Sequence, residues 1–199
     1  MFSPKSNRSL RIAILLFCFS LLSTSSKAQE IESLAEIRTE QTIEQMGDYG
    51  QYLPAVASVV LILTHNDTKG GWQYIKAAST NLLATYLLKF AINKDRPDGA
   101  TDGHAFPSGH TSFAFQGASF LQRRYGWKYG IPAYAIASFV AFSRVEGIND
   151  RHDWFDVLGG IISGVGSSYL FTSEHQKERI KLTFNSNNNY YSVGIIYKF

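Results

Sequence analysis

Three stretches without a formal charge set the architecture: Tyr49 to Asn66, Tyr129 to Ser143 and Val157 to Ser173, each 15 to 18 residues long. Such runs are too long for ordinary strands and fall short of the roughly 20 residues that span a bilayer comfortably. Each therefore reads as a helix at the borderline between a buried core element and a short membrane-contacting one. The last of them is crowded with small residues (Gly159, Gly160, Ser163, Gly164, Gly166, Ser167, Ser168), a composition that lets helix backbones approach closely. Helical spacing is also expected over Ile31 to Met46, where Glu32, Glu36, Glu40 and Glu44 form a stripe read as a solvated acidic face, with Gly47 closing the helix. Further helices are expected from Trp72 to Asn93, at 109–122 and 131–143, and from His152 to Ser173. The fold class is thus all-α, a bundle of about five or six helices.

The two ends differ from this body. Residues 1–28 read as a signal peptide: Lys5, Arg8 and Arg11, an apolar run from Ile12 to Leu22, then the small-x-small site Ser26-Lys27-Ala28. Export to the periplasm is the expectation, with the mature chain starting at Gln29. The single cysteine, Cys18, lies in that apolar run, so the mature chain holds no thiol and no disulfide. At the other end Lys181 to Phe184 and Tyr190 to Tyr197 alternate as strands around an Asn185 to Asn189 turn, a short β-hairpin. The chain divides into the leader, a helical-bundle domain over 29–180, and a hairpin tail over 181–199. The formal charge of +3 arises from the leader, since from Gln29 onward 15 basic residues face 16 acidic ones. A nucleic-acid partner is excluded by that balance. No zinc-binding histidine pair and no glycine-rich nucleotide loop occur.

Three polar segments fall at expected helix ends. Lys89 and Arg96-Pro97, with six residues between them, lie across the end of one helix and the start of an Asp-, Gly- and Pro-rich loop, Asp95 to Phe106; alone they are cations favourable to a helix C-terminus. Pro107-Ser108-Gly109-His110 precedes the next helix. Pro and Ser are ordinary start signals, but free amides, a hydroxyl and a glycine also make an anion site, with a histidine beside it to give a proton. Ser143-Arg144 is followed after seven residues by His152 and after three more by Asp156. Four apart on a helix, His152 and Asp156 share a face, so the carboxylate can bind one ring nitrogen and leave the other nucleophilic.

In this order the segments resemble the type 2 phosphatidic acid phosphatase and vanadium haloperoxidase superfamily, with its Lys-x6-Arg-Pro, Pro-Ser-Gly-His and Ser-Arg-x5-His-x3-Asp motifs. The third departs by two extra residues within Glu146 to Asp150, turn chemistry that a loop absorbs without moving its ends. The resemblance covers about residues 50–171. It implies a metal-independent phosphatase without a cofactor, with His152 as nucleophile, Asp156 orienting it and His110 as general acid and base. Lys89, Arg96, Ser108, Gly109 and Arg144 would bind the phosphate. His104 has no motif role and reads as a loop bystander. A lipid-linked phosphate or pyrophosphate is the expected substrate: phosphatidate, phosphatidylglycerol phosphate, undecaprenyl pyrophosphate or a lipid A. The uncharged stretches point to membrane contact or integration. The alternatives are a soluble periplasmic acid phosphatase, a haloperoxidase, disfavoured by the short chain, and a non-catalytic anion-binding module.

Overall fold

The side chains of Asp67 and Asp153 cap two of the helix starts in this protein. The computed structural model describes residues 33–97, 103–147, 151–175, 180–187 and 190–197; the expected leader lies outside them. The chain divides into two units, Met1–Thr42 and Ile43–Phe199. Helix α1, residues 33–50, runs across that division, and its second half belongs to the larger unit. It is followed by α2 (Leu53–Thr64), α3 (Thr68–Ile92), α4 (Gly109–Tyr125), α5 (Trp127–Ser143) and α6 (Trp154–Phe171).

The all-α expectation holds, with shifted boundaries. Helix α3 begins at Thr68 because the Asp67 side chain accepts the Gly70 N–H at 2.9 Å, and it stops at Asn93, which adopts the left-handed conformation. Helix α5 begins four residues before its expected start, since Gly126 at φ +91° ends α4 and launches α5 directly. Gly47 does not close α1, which continues to residue 50. Its missing side chain instead makes room for Arg144 and Ser143: a Cβ there would overlap Ser143 Oγ and come within 2.6 Å of Arg144 Nη2.

Helix α4 is the axis of the bundle and packs against α2, α3, α5 and α6. Ala114, Ala118 and Leu121 join Ala133, Ala137, Val140 and Val157 in the apolar core. Against α6 the approach is backbone to backbone, since Gly160 and Gly164 face Ser108 O, Ser112 O and Gln116 N of α4 and its cap. Buried hydroxyls satisfy one another at the crossing with α3: Asn81 Oδ1 accepts from Ser112 Oγ at 2.7 Å and from Ser163 Oγ at 2.9 Å. Away from the α4 cap, Arg124 forks onto Asp67 (2.6 and 2.7 Å). Burial alone would push the Asp67 carboxyl up, but Arg124, Gly70 N–H and the Tyr125 hydroxyl outweigh it and hold it at about 2.

Strands β1 (Ile180–Asn187) and β2 (Tyr190–Tyr197) form the antiparallel hairpin, in register from Ile180 opposite Tyr197 to Asn187 opposite Tyr190. Pairing with Tyr190, Tyr191 and Ser192 draws Asn185 to Asn187, expected in the turn, into β1.

Candidate active site

Helices α3 and α5 end, and α4 and α6 begin, at one end of the bundle, and this alternation gathers the three polar segments. Lys89 lies in the last turn of α3, Ser108 caps α4 with Gly109 and His110 opening it, Arg144 ends α5, and His152 precedes α6. Arg96 sits in the loop after α3, its Nη1 donating to Arg151 O at 3.2 Å. Asp156 lies in the first turn of α6, so all eight residues expected at a site are at this end of the bundle.

His152 is 5% exposed. Burial first, then the charges of Lys89, Arg96, His110 and Arg144, pull its pKa down to about 3. His110 is likewise lowered to about 4, by burial and then by Arg144, while Asp48 opposes the fall. Both imidazoles are neutral at pH 7, so one nitrogen of each is available as a base or nucleophile.

The pairing of His152 with Asp156 is looser than expected. Nδ1 lies 3.5 Å from Asp156 Oδ2 and has no hydrogen-bond partner among the described residues. Asp156 is fully buried and has other commitments. Its Oδ2 accepts the Asp153 N–H at 3.2 Å while Asp153 Oδ1 accepts the Asp156 N–H at 2.9 Å, a capping box that starts α6. Its Oδ1 takes Lys94 Nζ at 2.7 Å.

The α4 cap is also partly committed. Ser108 N–H donates to Asp156 O at 2.9 Å, tying the Pro-Ser-Gly-His loop to α6, and Ser108 Oγ accepts from Thr111 Oγ1 at 3.0 Å. Ser108 thus fixes the loop as well as lining it, and an added Cβ on Gly109 would meet nothing closer than Lys89 Cε at 3.9 Å.

Four participants escaped the sequence reading. Asp48 Oδ1 sits 2.7 Å from Arg144 Nη1 and 3.2 Å from His110 Nε2, joining two of the expected residues through a carboxylate from α1. Glu44, assigned to a solvated face, is buried: its backbone oxygen accepts from Arg144 Nη2 at 2.8 Å and its carboxylate pairs with Arg151 at 3.0 Å. His104 is no bystander, because its carbonyl accepts from Lys89 Nζ at 2.6 Å and its Nδ1 faces Lys89 O at 3.0 Å, fixing the lysine against the loop. Lys94 is the fourth. The i, i+4 step from Glu44 to Asp48 was the available signal in α1; the loop contacts had none.

Between the α1–α2 junction, α3 and the start of α4 runs a cavity of about 500 Å³. Tyr52, Leu82, Tyr86 and Phe113 supply apolar walls, and Lys89, Gly109 and His110 reach it at the site. The long apolar side chains of α2, α3 and α6 are widely exposed, among them Val60, Leu83, Leu87, Phe155, Ile162 and Leu170. No described helix is long and apolar enough to cross a membrane.

The PAP2 superfamily matches residues 70–180. The chain belongs to that family, and the phosphoric-ester hydrolase implied by its motifs is what its curated relatives are. A lipid A 4'-phosphatase of Helicobacter pylori is 29% identical over 98% of this chain and 99% of its own length. A lipid A 1-phosphatase of Porphyromonas gingivalis is 39% identical over 39% of this chain, which spans 17% of that protein. Two crystal structures share the fold, each with a TM-score of 0.54: LpxE of Aquifex aeolicus (18% identity, 69% of this chain and 92% of that one) and a transmembrane PAP2-type phosphatidylglycerolphosphate phosphatase of Bacillus subtilis (23%, 80% and 92%).

Proposed function

We propose that this protein removes a phosphate from a phosphorylated lipid of the lipid A class through a phosphohistidine intermediate at His152. The observation that carries the reading is the buried, neutral His152 within the field of Lys89, Arg96, Arg144 and His110, of which Lys89 and His110 also line the apolar cavity. Similarity to a lipid A phosphatase along nearly the whole chain supports the lipid class. The many exposed large apolar side chains of α2, α3 and α6 support contact with a membrane. Export to the periplasm belongs to the same proposal.

In the first step His152 Nε2 attacks phosphorus with Nδ1–H turned to Asp156. The bond to the lipid oxygen breaks, and His110 delivers a proton to that oxygen. In the second, His110 takes a proton from water, which displaces phosphate from His152. The three cations hold the phosphate oxygens and the charge that builds on them. Burial and then the nearby cations keep His110 at about 4, and a bound phosphate dianion offsets the cationic part, favouring the proton it must donate.

Release of inorganic phosphate from lipid A, phosphatidate, phosphatidylglycerol phosphate, undecaprenyl pyrophosphate and p-nitrophenyl phosphate tests the proposal. Lipid A is expected to be the preferred substrate, and His152→Ala to lower turnover on the order of 10³-fold or more. An acid-labile, alkali-stable phosphoryl adduct should be trapped in the parent. A His152→Ala variant as active as the parent would reject the mechanism, and preference for the soluble monoester would reject the lipid.

A further inference from the structure

Lys94 occupies one of the six positions between Lys89 and Arg96 that carry no motif role, yet it makes two of the shortest polar contacts at the site. Its Nζ lies 2.6 Å from Asp153 Oδ2 and 2.7 Å from Asp156 Oδ1. The three side chains differ in burial: Asp156 is 0% exposed, Lys94 30% and Asp153 46%. A carboxylate removed from water in this way needs a counter-charge, and among the described residues Lys94 is the cation bonded to it. The lysine backbone is anchored as well, its carbonyl accepting the Ala105 N–H at 2.9 Å three residues before Ser108.

The two oxygens of Asp156 are consequently unequal. Oδ1 is taken by Lys94, whereas Oδ2, which accepts the Asp153 N–H, is the one facing His152 Nδ1 at 3.5 Å. A carboxylate free to turn could offer His152 either oxygen or none. With Oδ1 fixed, a small closure brings Oδ2 to Nδ1–H and leaves Nε2 unprotonated.

We propose that Lys94 is a positioning residue of the reaction, holding Asp156 so that Oδ2 fixes the tautomer of His152, and offsetting part of the carboxylate's charge. This rests on His152 being the nucleophile. The charged and titratable groups facing His152 are Lys89 from α3, Arg96 from the following loop, His110 from α4, Arg144 from α5 and Asp156 from α6. Lys94 acts on this set through the one anion in it, so its loss strengthens the hold of Asp156 on an imidazolium.

The test uses the full chain carrying Lys94→Met, Lys94→Arg or Asp153→Ser, the last keeping a helix cap while removing the second partner of Lys94. Phosphate release gives kcat, KM and the pH profile, and nitrogen-15 histidine spectra give the His152 tautomer without turnover. Lys94→Met should lower kcat about 10- to 100-fold with little change in KM, move the acid limb of kcat/KM to higher pH, and mix the tautomers. Lys94→Arg should recover most of kcat, and Asp153→Ser should stay close to the parent. If Lys94→Met does not fold, Lys94→Gln, which keeps a donor without the charge, carries the same pH and tautomer readings. Parent kcat and tautomer in the lysine variants, or equal losses in Lys94→Met and Asp153→Ser, would overturn the proposal. A parent that releases phosphate from no substrate defeats the proposed function instead, while the tautomer comparison still decides the role of Lys94.

Discussion

Gly164 and Gly166 lie two residues apart in α6, and replacing each by alanine should affect stability unequally, with Gly166→Ala the more stable variant. Both substitutions gain about 1 kcal/mol of helix propensity, because glycine in a helix interior costs that much relative to alanine. At Gly166 nothing lies within 4 Å of the added Cβ, so the gain stands alone. At Gly164 the methyl group would overlap Ser112 O and sit 2.8 Å from Gln116 N and 3.2 Å from Phe115 C. All three atoms are α4 backbone and cannot rotate aside. Ordinary contact starts near 3.4 Å, so α6 must retreat by at least about 0.6 Å, and overpacking of this kind costs about 1–3 kcal/mol. Gly166→Ala is then stabilising by about 1 kcal/mol, Gly164→Ala neutral to destabilising by up to about 2 kcal/mol, and the two differ by about 1–3 kcal/mol. At about 2–4 °C per kcal/mol for a chain of this size, their melting temperatures should separate by roughly 2–12 °C in thermal denaturation followed by circular dichroism. Equal melting temperatures, or a Gly164→Ala variant that melts higher, would show that the α4–α6 crossing is not packed backbone to backbone.

Gly160→Ala, whose Cβ would meet Ser108 O at 2.6 Å, should lower kcat beyond what its melting temperature explains, because it pushes on the loop that presents Gly109 and His110; paired kinetics and melts check this. Asp48→Asn removes the anion that raises His110, so the histidine titration seen by NMR should move below about 4, and inorganic phosphate should inhibit more strongly beside an unopposed Arg144. Stability should fall as pH drops from about 6.5 towards 3, since the unfolded chain takes up protons on His110 and His152 that the folded chain refuses. The slope should shrink in His110→Gln and His152→Gln, as denaturant titrations across that range would show. Asp67 adds a separate loss as the pH falls through about 4 towards 2, where its carboxyl protonates in the unfolded chain before the folded one.

The bundle was legible because uncharged runs and cap residues are local signals, and local signals survive folding. The motif residues were legible for a related reason: Lys89, Ser108, His110, Arg144 and His152 stand at helix termini, and termini show in sequence. Gly47 misled because a glycine that stops a helix and one that admits a neighbouring side chain look alike until Ser143 and Arg144 arrive against it. Glu44 misled similarly, since a charge stripe says nothing of an arginine 100 residues away. Lys94 and His104 act through contacts made by loop geometry, which no spacing rule encodes.

The reach of Asp48 and Glu44 into the site bears on how the protein can be dissected. The family match begins at residue 70, so a fragment cut to that boundary would lack the Asp48 carboxylate and the Glu44 carbonyl that accept from Arg144. Arg144, 2% exposed in the intact chain, would keep the Ser143 hydroxyl but lose the carboxylate that balances its charge. The minimal functional unit therefore starts upstream of its signature motifs, and swaps between relatives should carry residues 43–50 together with the arginine they hold.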